Sequence, residues 1–217
     1  VSGRLSMSNP NLQQIPARDP ELGPMIRSLF LPEEGEQWAA IDFSQQEPRI
    51  LVHYAQIFGN WKSRPLGGAQ DFVNAYNDDP DTDFHSMVAE MAQIPRKQAK
   101  TINLGMMYGM GVNKLADQLD VDVDTAKEIT KQYHSRVPFV KELMSGVSRA
   151  VDQKDDGSIR SLKGRKCRFD MFEPLGYELK KAMPKKEAKA AYGDTTPLRR
   201  AYTYKALNRL IQASAAD

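Results

Sequence analysis

Cysteine is almost absent. Cys167 stands alone in 217 residues, so no internal disulfide can form and a reducing compartment is expected. Long hydrophobic runs are absent as well: no apolar stretch approaches the roughly 20 residues of a membrane span, and no membrane partner is expected. No apolar signal region follows the opening Val1-Ser2-Gly3-Arg4, and no initiator Met precedes it, so the chain reads as a piece of something longer, without a signal peptide. No internal repeat is evident. Apolar residues at 41% and charged residues at 27% are ordinary for a soluble globular protein, which excludes a disordered chain, a collagen and a disulfide scaffold. The length is ample for a core, since chains of this size bury roughly 70–75% of their unfolded surface.

The net charge of +2 predicts nothing by itself; its distribution says more. Residues 1–60 hold 4 Lys and Arg against 7 Asp and Glu, whereas residues 160–200 hold 12 against 5. A basic surface facing an anionic partner is one reading, and a solvated Lys/Arg face is the other.

Residues 1–24 are rich in Asn, Gln, Pro and Ser and read as an extended, turn-rich segment. Gln37 to Phe43 reads as a short buried strand ending in an acid. Pro48 sits early in a helix expected from Arg49 to Phe58, with Ile50, Leu51, Tyr54 and Ile57 on one face. Residues 59–83 read as a loop holding one short helix. Helices are expected over His85–Met91, from Pro95 to about Met107, over 113–120, over 124–135 with Asp124 as cap, and from Pro138 to about Gln153. Asp155-Asp156-Gly157 is a turn, and the stretches Ser158–Leu162 and Arg165–Phe169 alternate around Gly164 as a hairpin does. Residues 176–190 and Arg199–Ser214 complete the set as helices. The fold class is therefore α+β, helix-rich with few strands.

Chemistry concentrates in Arg96 to Gly109. Arg96 and Lys100 are four apart and share a helical face; Leu104 continues it and Tyr108 follows, drifted round by the 3.6-residue period. Cation, cation, apolar, aromatic is the order of a nucleotide from phosphates to base, and a helix N-terminus favours the phosphate end. The same spacing also describes two solvated cations on an amphipathic helix. Asp42 is either a helix cap or a Mg²⁺ ligand, since Mg²⁺ is held by one or two carboxylates plus substrate phosphates. Glu47 lies near a helix start, where the dipole favours an acid. His85 either contacts phosphate as a cation or is structural. Arg4, Asn9, Asn11, Gln13 and Gln14 form an amide-rich strip that can read minor-groove acceptors or belong to a capped surface loop. Asn208 and Gln212, four apart, allow the same two readings.

Taken together, these stretches resemble the polymerase region of family A DNA polymerases. Gly3-Arg4-Leu5-Ser6-Met7-Ser8-Asn9-Pro10-Asn11-Leu12-Gln13-Gln14-Ile15-Pro16 is similar to the family's G-R-L-S-S-x-x-P-N-L-Q-N-I-P segment. Asp42-Phe43-Ser44-Gln45-Gln46-Glu47-Pro48-Arg49 is similar to motif A, D-Y-S-Q-I-E-L-R. Arg96 through Gly109 is similar to motif B, R-x-x-x-K-x-x-N-[FY]-G-x-x-Y-G, and Asn208 through Asp217 resembles the segment before motif C. The resemblance implies helix-rich fingers inserted in part of an antiparallel-sheet palm. It divides the chain into a palm portion with primer–template strip and motif A (1–58), fingers with the motif B helix (59–157), and the remainder of the fingers with the return to the palm, ending before motif C (158–217).

The implied function is templated addition of dNTPs to a primer 3′-OH by a two-Mg²⁺ mechanism, with DNA primer–template and dNTPs as partners. The implied place is the cytoplasm of a bacterium or a phage-infected host. Asp42 and the Phe43 carbonyl would bind metal. Arg96, Lys100 and His85 would hold the triphosphate, with Lys100 a candidate general acid for pyrophosphate. Glu47 would exclude a ribose 2′-OH, Tyr108 would occupy the template-base position, and Arg4, Asn11, Gln13, Asn208 and Gln212 would follow primer–template geometry from the minor groove.

The departures carry expectations of their own. The sequence ends at Asp217, before the His-Asp-Glu of motif C, which supplies the second metal-binding Asp. The 217 residues alone are thus expected not to extend a primer at a normal rate; a second chain carrying motif C, or a non-catalytic nucleic-acid-binding module, are the alternatives. A single-subunit RNA polymerase is a further relative, against which the bulky Glu47 argues. Pro48 replaces an aliphatic residue, Tyr204 stands where many bacterial members place Arg, and residues 170–200 are longer and more basic than in compact bacterial enzymes, which hints at a viral or metagenomic source. Leu104 stands where an aromatic is usual, and Leu stacks less well on sugar and base. Leu104→Phe is therefore expected to change the speed, fidelity or 3′-deoxy-analogue discrimination of the polymerase; identical single-nucleotide incorporation kinetics would refute this.

Overall fold

A computed structural model describes residues 3–16, 19–176 and 181–217. After a short 3-10 turn at Leu12–Gln14, the chain forms α1 (Leu22–Arg27), α2 (Gln46–Trp61), α3 (Ala69–Asp78), α4 (Phe84–Ala92), α5 (Arg96–Met107), α6 (Val112–Leu119), α7 (Val123–Arg136) and α8 (Pro138–Gln153). A hairpin follows, β1 (Ser158–Arg160) with β2 (Lys166–Arg168), pairing the buried Ile159 and Cys167 opposite each other. Then come β3 (Met171–Pro174), β4 (Met183–Pro184), α9 (Lys185–Tyr192) and β5 (Leu198–Arg200), a second sheet in antiparallel order β4-β3-β5. A 3-10 turn at Thr203–Lys205 leads into α10 (Ala206–Ala216). The α+β class expected from the sequence holds.

One apolar cluster joins these elements. Leu51, Val52, Tyr54 and Ala55 of α2 meet Phe139, Val140, Leu143 and Val147 of α8 and Leu207, Leu210 and Ile211 of α10. A second wing of the same cluster is aromatic. Phe72 of α3 is fully buried, with ring centroids 4.8 Å from Phe84 of α4 and 5.4 Å from Phe139 of α8. Proline and acid signals set the helix starts as local chemistry dictates: Pro138 occupies the first turn of α8, and Asp83 caps α4 by accepting from the amides of His85 and Ser86. No helix among the described residues is long and apolar enough to cross a membrane.

Several sequence expectations are corrected. Residues 37–43 form no strand; Trp38, Ile41 and Phe43 are exposed, because a strand needs a ladder partner and no described strand lies beside this segment. Ile57 faces solvent instead of the core. The cap of α7 is Asp122, not Asp124: its extended backbone lets the carboxylate accept from the amides of Asp124 and Thr125. The helix expected over 176–190 is confined to Lys185–Tyr192, with Met183–Pro184 drawn into the sheet; its residues 177–180 lie outside the described residues. The last helix begins at Ala206, not Arg199, since Leu198–Arg200 pair with β3 and Tyr202 adopts a left-handed backbone.

Phe72→Ala should cost about 3–5 kcal/mol, and Phe72→Leu much less, checked by denaturant unfolding. A second expectation concerns acid. Burial works against the ionised form of Asp83, but Arg96 and the groups at the start of α4 outweigh it and hold its carboxyl below the ordinary value. A folded-state pKa below the unfolded one gives stability that is present above the unfolded value and is lost as pH falls through the folded one. Asp83→Asn should therefore lower Tm at neutral pH and flatten its fall below about pH 5, as thermal melts across that range would show.

Candidate functional site

The start of α2 gathers the site. Gln45 has a left-handed backbone, φ 52°, and its side chain cannot cap its own helix. It reaches sideways instead: Nε2 donates to the Thr82 carbonyl at 3.0 Å, and Oε1 accepts from the Phe84 amide at 2.9 Å. Gln46 Nε2 donates to the Ala215 carbonyl at 2.9 Å, at the end of α10. Glu47 accepts from Arg4 and, at 2.8 Å, from the hydroxyl of Tyr108 at the end of α5. Arg49 braces the turn from behind, donating to the carbonyls of Ser44 and Pro80 with its guanidinium 4.7 Å over the Tyr76 ring.

The expected nucleotide face divides into two ends. At one end Arg96 donates through Nε and Nη2 to Asp83 at 2.7 and 2.5 Å. Lys100 is exposed one turn on and makes no ion pair among the described residues. His85 lies close enough to both cations for their charges to act on it. Burial, together with Lys100 and Arg96, pushes its pKa below the ordinary value although Asp83 opposes this. Asn103, 1% exposed, approaches His85 Nδ1 at 3.0 Å and accepts from Tyr133 at 2.7 Å.

At the other end Leu104 is half-buried against the core. Tyr108 meets Glu47 and Gln212; burial raises its phenol pKa, the Glu47 carboxylate adds to this and the Gln212 hydrogen bond opposes it. Asn208 and Gln212 are half-buried residues of α10. The chain is pressed tight here: Gly109, at φ +67°, would bring a Cβ to 2.8 Å from the Tyr204 ring, and only glycine tolerates both demands.

Asp42 is exposed and makes no hydrogen bond or ion pair among the described residues. The cap reading does not materialise, because Gln45 is the residue preceding α2. No cluster of three or more His, Cys, Asp or Glu able to hold a metal occurs among the described residues. What is present is one free carboxylate three residues from the anchored Gln45, hence within about 11 Å of chain from it. That donor set fits a Mg²⁺ ion held largely by phosphate and water. Asn11 and Gln13 are engaged locally: Asn11 caps the 3-10 turn, accepting from the Gln13 amide, and Gln13 Nε2 donates to the Leu5 carbonyl.

Sequence reasoning missed Gln45, Asn103 and Tyr133 as parts of the site. Gln45 and Asn103 lay inside the quoted motifs; Tyr133, 30 residues from its partner, gave no local signal.

Comparison with known proteins gives the family. The model of the family described as DNA polymerase family A matches residues 1–217. A DNA-directed DNA polymerase of Pseudomonas phage M6 is 35% identical, over 99% of this chain and 34% of its own length. DNA polymerase I of Rhizobium leguminosarum is 32% identical, over 100% of this chain and 19% of its own. Among solved structures, the POL domain of Pol1 from M. smegmatis, in complex with DNA primer-template and dNTP, matches with a TM-score of 0.68 and 29% identity, over 99% of this chain and 33% of that one. The chain thus spans about a third or less of the length of these relatives, and it belongs to DNA polymerase family A.

Proposed function

We propose that these residues serve template-directed addition of deoxynucleotides to a primer 3′-OH, with DNA primer–template and dNTPs as partners. The observation that carries this reading is the start of α5. Arg96, Lys97 and Lys100 stand there with no acid in the first turn, at the end of a helix whose dipole already disfavours cations. Such an arrangement is relieved by a bound anion, and a triphosphate supplies one.

In this reading Arg96, Lys100 and His85 grip the triphosphate, and Lys100 is placed to give a proton to departing pyrophosphate. Glu47, pinned by Arg4 and Tyr108, stands where a ribose 2′-OH would intrude, and a pinned carboxylate excludes by bulk better than a mobile one. Tyr108 takes the template-base position. Arg4, Asn11, Gln13, Asn208 and Gln212 follow the minor groove, whose acceptors lie alike in all correct pairs. Asp42 and the Phe43 carbonyl would hold Mg²⁺, which when bound lowers the pKa of the attacking hydroxyl and steadies phosphate charge. The division into a palm portion (1–58), fingers (59–157) and a return to the palm (158–217) belongs to the same proposal. The phage relatives favour a phage source.

Titration of a fluorescent dATP analogue into the chain tests the reading. Arg96→Ala and Lys100→Ala should each weaken binding about tenfold, since a hydrogen bond to a charged group contributes roughly 1.5–3 kcal/mol. Glu47→Ala should narrow the preference for the deoxy over the ribo analogue. Nucleotide affinity indifferent to both cation substitutions would refute it.

A further inference from the structure

His85 is 8% exposed, yet it borders Arg96 and Lys100. One edge of its ring is tied inward through three elements: Nδ1 lies 3.0 Å from Asn103 Nδ2 of α5, and Asn103 Oδ1 accepts at 2.7 Å from the Tyr133 hydroxyl of α7. Tyr133 is 1% exposed, and burial pushes its pKa up, so the phenol keeps the proton it donates. An amide side chain has one accepting oxygen and one NH₂ that can only donate. With the oxygen committed to Tyr133, the NH₂ faces His85. Nδ1 must then offer its lone pair, and the single proton of a neutral imidazole sits on Nε2. On that opposite edge, Nε2 has no hydrogen-bond partner among the described residues and is not sealed from solvent.

We propose that Asn103 and Tyr133 are positioning residues that lock His85 as the Nε2–H tautomer, making it a fixed, uncharged hydrogen-bond donor to a phosphate oxygen held by Arg96 and Lys100. A third cation at this spot would repel the two already there; a neutral donor adds a directed bond without that repulsion. Protonation at Nδ1 would set an N–H against the Asn103 NH₂, so the same pair of residues also disfavours the imidazolium. The groups facing the ring are Asp83 of the α4 cap, Arg96, Lys100 and Asn103 of α5, and Tyr133 of α7. The identity of the anion rests on the polymerase reading; the tautomer does not.

Imidazole ¹⁵N spectroscopy of the nucleotide-free chain tests it, with the three histidines assigned by His85→Gln. At neutral pH, Nδ1 of His85 should show a pyridine-like shift and Nε2 a pyrrole-like one. Tyr133→Phe, which keeps the ring and removes the hydroxyl, should give mixed tautomers and weaken binding of inorganic triphosphate about fivefold. A pyrrole-like Nδ1 in the parent chain overturns the proposal, as does a Tyr133→Phe variant with unchanged tautomer and affinity. Should that variant not fold, the parent still decides: an ¹⁵N–¹⁵N coupling across the hydrogen bond from Asn103 Nδ2 to His85 Nδ1 supports the lock, and its absence with a free Nδ1 overturns it. A parent chain with the expected tautomer that binds no nucleotide at all would instead count against the polymerase reading.

Discussion

Three consecutive side chains, Gln45, Gln46 and Glu47, tie the start of α2 to three different elements. Successive helical residues point about 100° apart, so neighbours in sequence can reach in separate directions. Gln45 takes both a carbonyl and an amide where α4 begins, Gln46 takes the Ala215 carbonyl near the end of α10, and Glu47 takes the tyrosine at the end of α5. Each bond is worth only about 1 kcal/mol net, but their joint effect is positional. The cation-bearing end of the α5 face and its aromatic end are both referenced to one helical turn, and the core beneath α2 fixes that turn in the molecule.

Electrostatics then separates what is structural from what is left available. Asp83 does two jobs, capping α4 and pairing Arg96, so that one member of the cation cluster is already compensated within the fold. Lys100 is not, and burial with the two nearby cations pushes the His85 pKa below the ordinary value. The face therefore has an unmet demand for negative charge that is local and directed, although the net charge of the chain is only +2. Net charge describes solubility and steering; the disposition of a few groups around one helix end describes binding.

Legibility in the sequence followed the range of the interactions. The starts of α5 and α8 were readable because Pro95 and Pro138 act on their own residues, and the hairpin was readable because Gly164 and the flanking alternation are local. Residues 37–43 have the apolar run of a strand, but a strand is defined by its neighbour, and none lies alongside among the described residues. The overrun of the last helix has the same origin: Leu198–Arg200 pair with β3, about 25 residues upstream, and no local periodicity encodes that. The site shows the same split. Arg96, Lys100 and Tyr108 were visible as one helical face, whereas the bond from Tyr133 that orients Asn103, and through it His85, exists only once α5 and α7 pack.

This split also explains the different states of the two halves of the site. Arg96, Lys100 and His85 sit on α4 and α5, whose other sides are buried, so the directions of these helices follow from core packing. Asp42 sits on an exposed segment whose apolar neighbours Trp38, Ile41 and Phe43 have no cover among the described residues. Its nearby anchors are the Ser44 carbonyl, which accepts from Arg49, and Gln45, three residues away. A carboxylate so placed is held near α4 by the reach of the chain, and no described hydrogen bond or ion pair sets its direction. The helices that carry Arg96, Lys100 and His85 are thus fixed by this chain's own core, whereas nothing among the described residues packs against Trp38, Ile41 and Phe43 to fix the direction of Asp42.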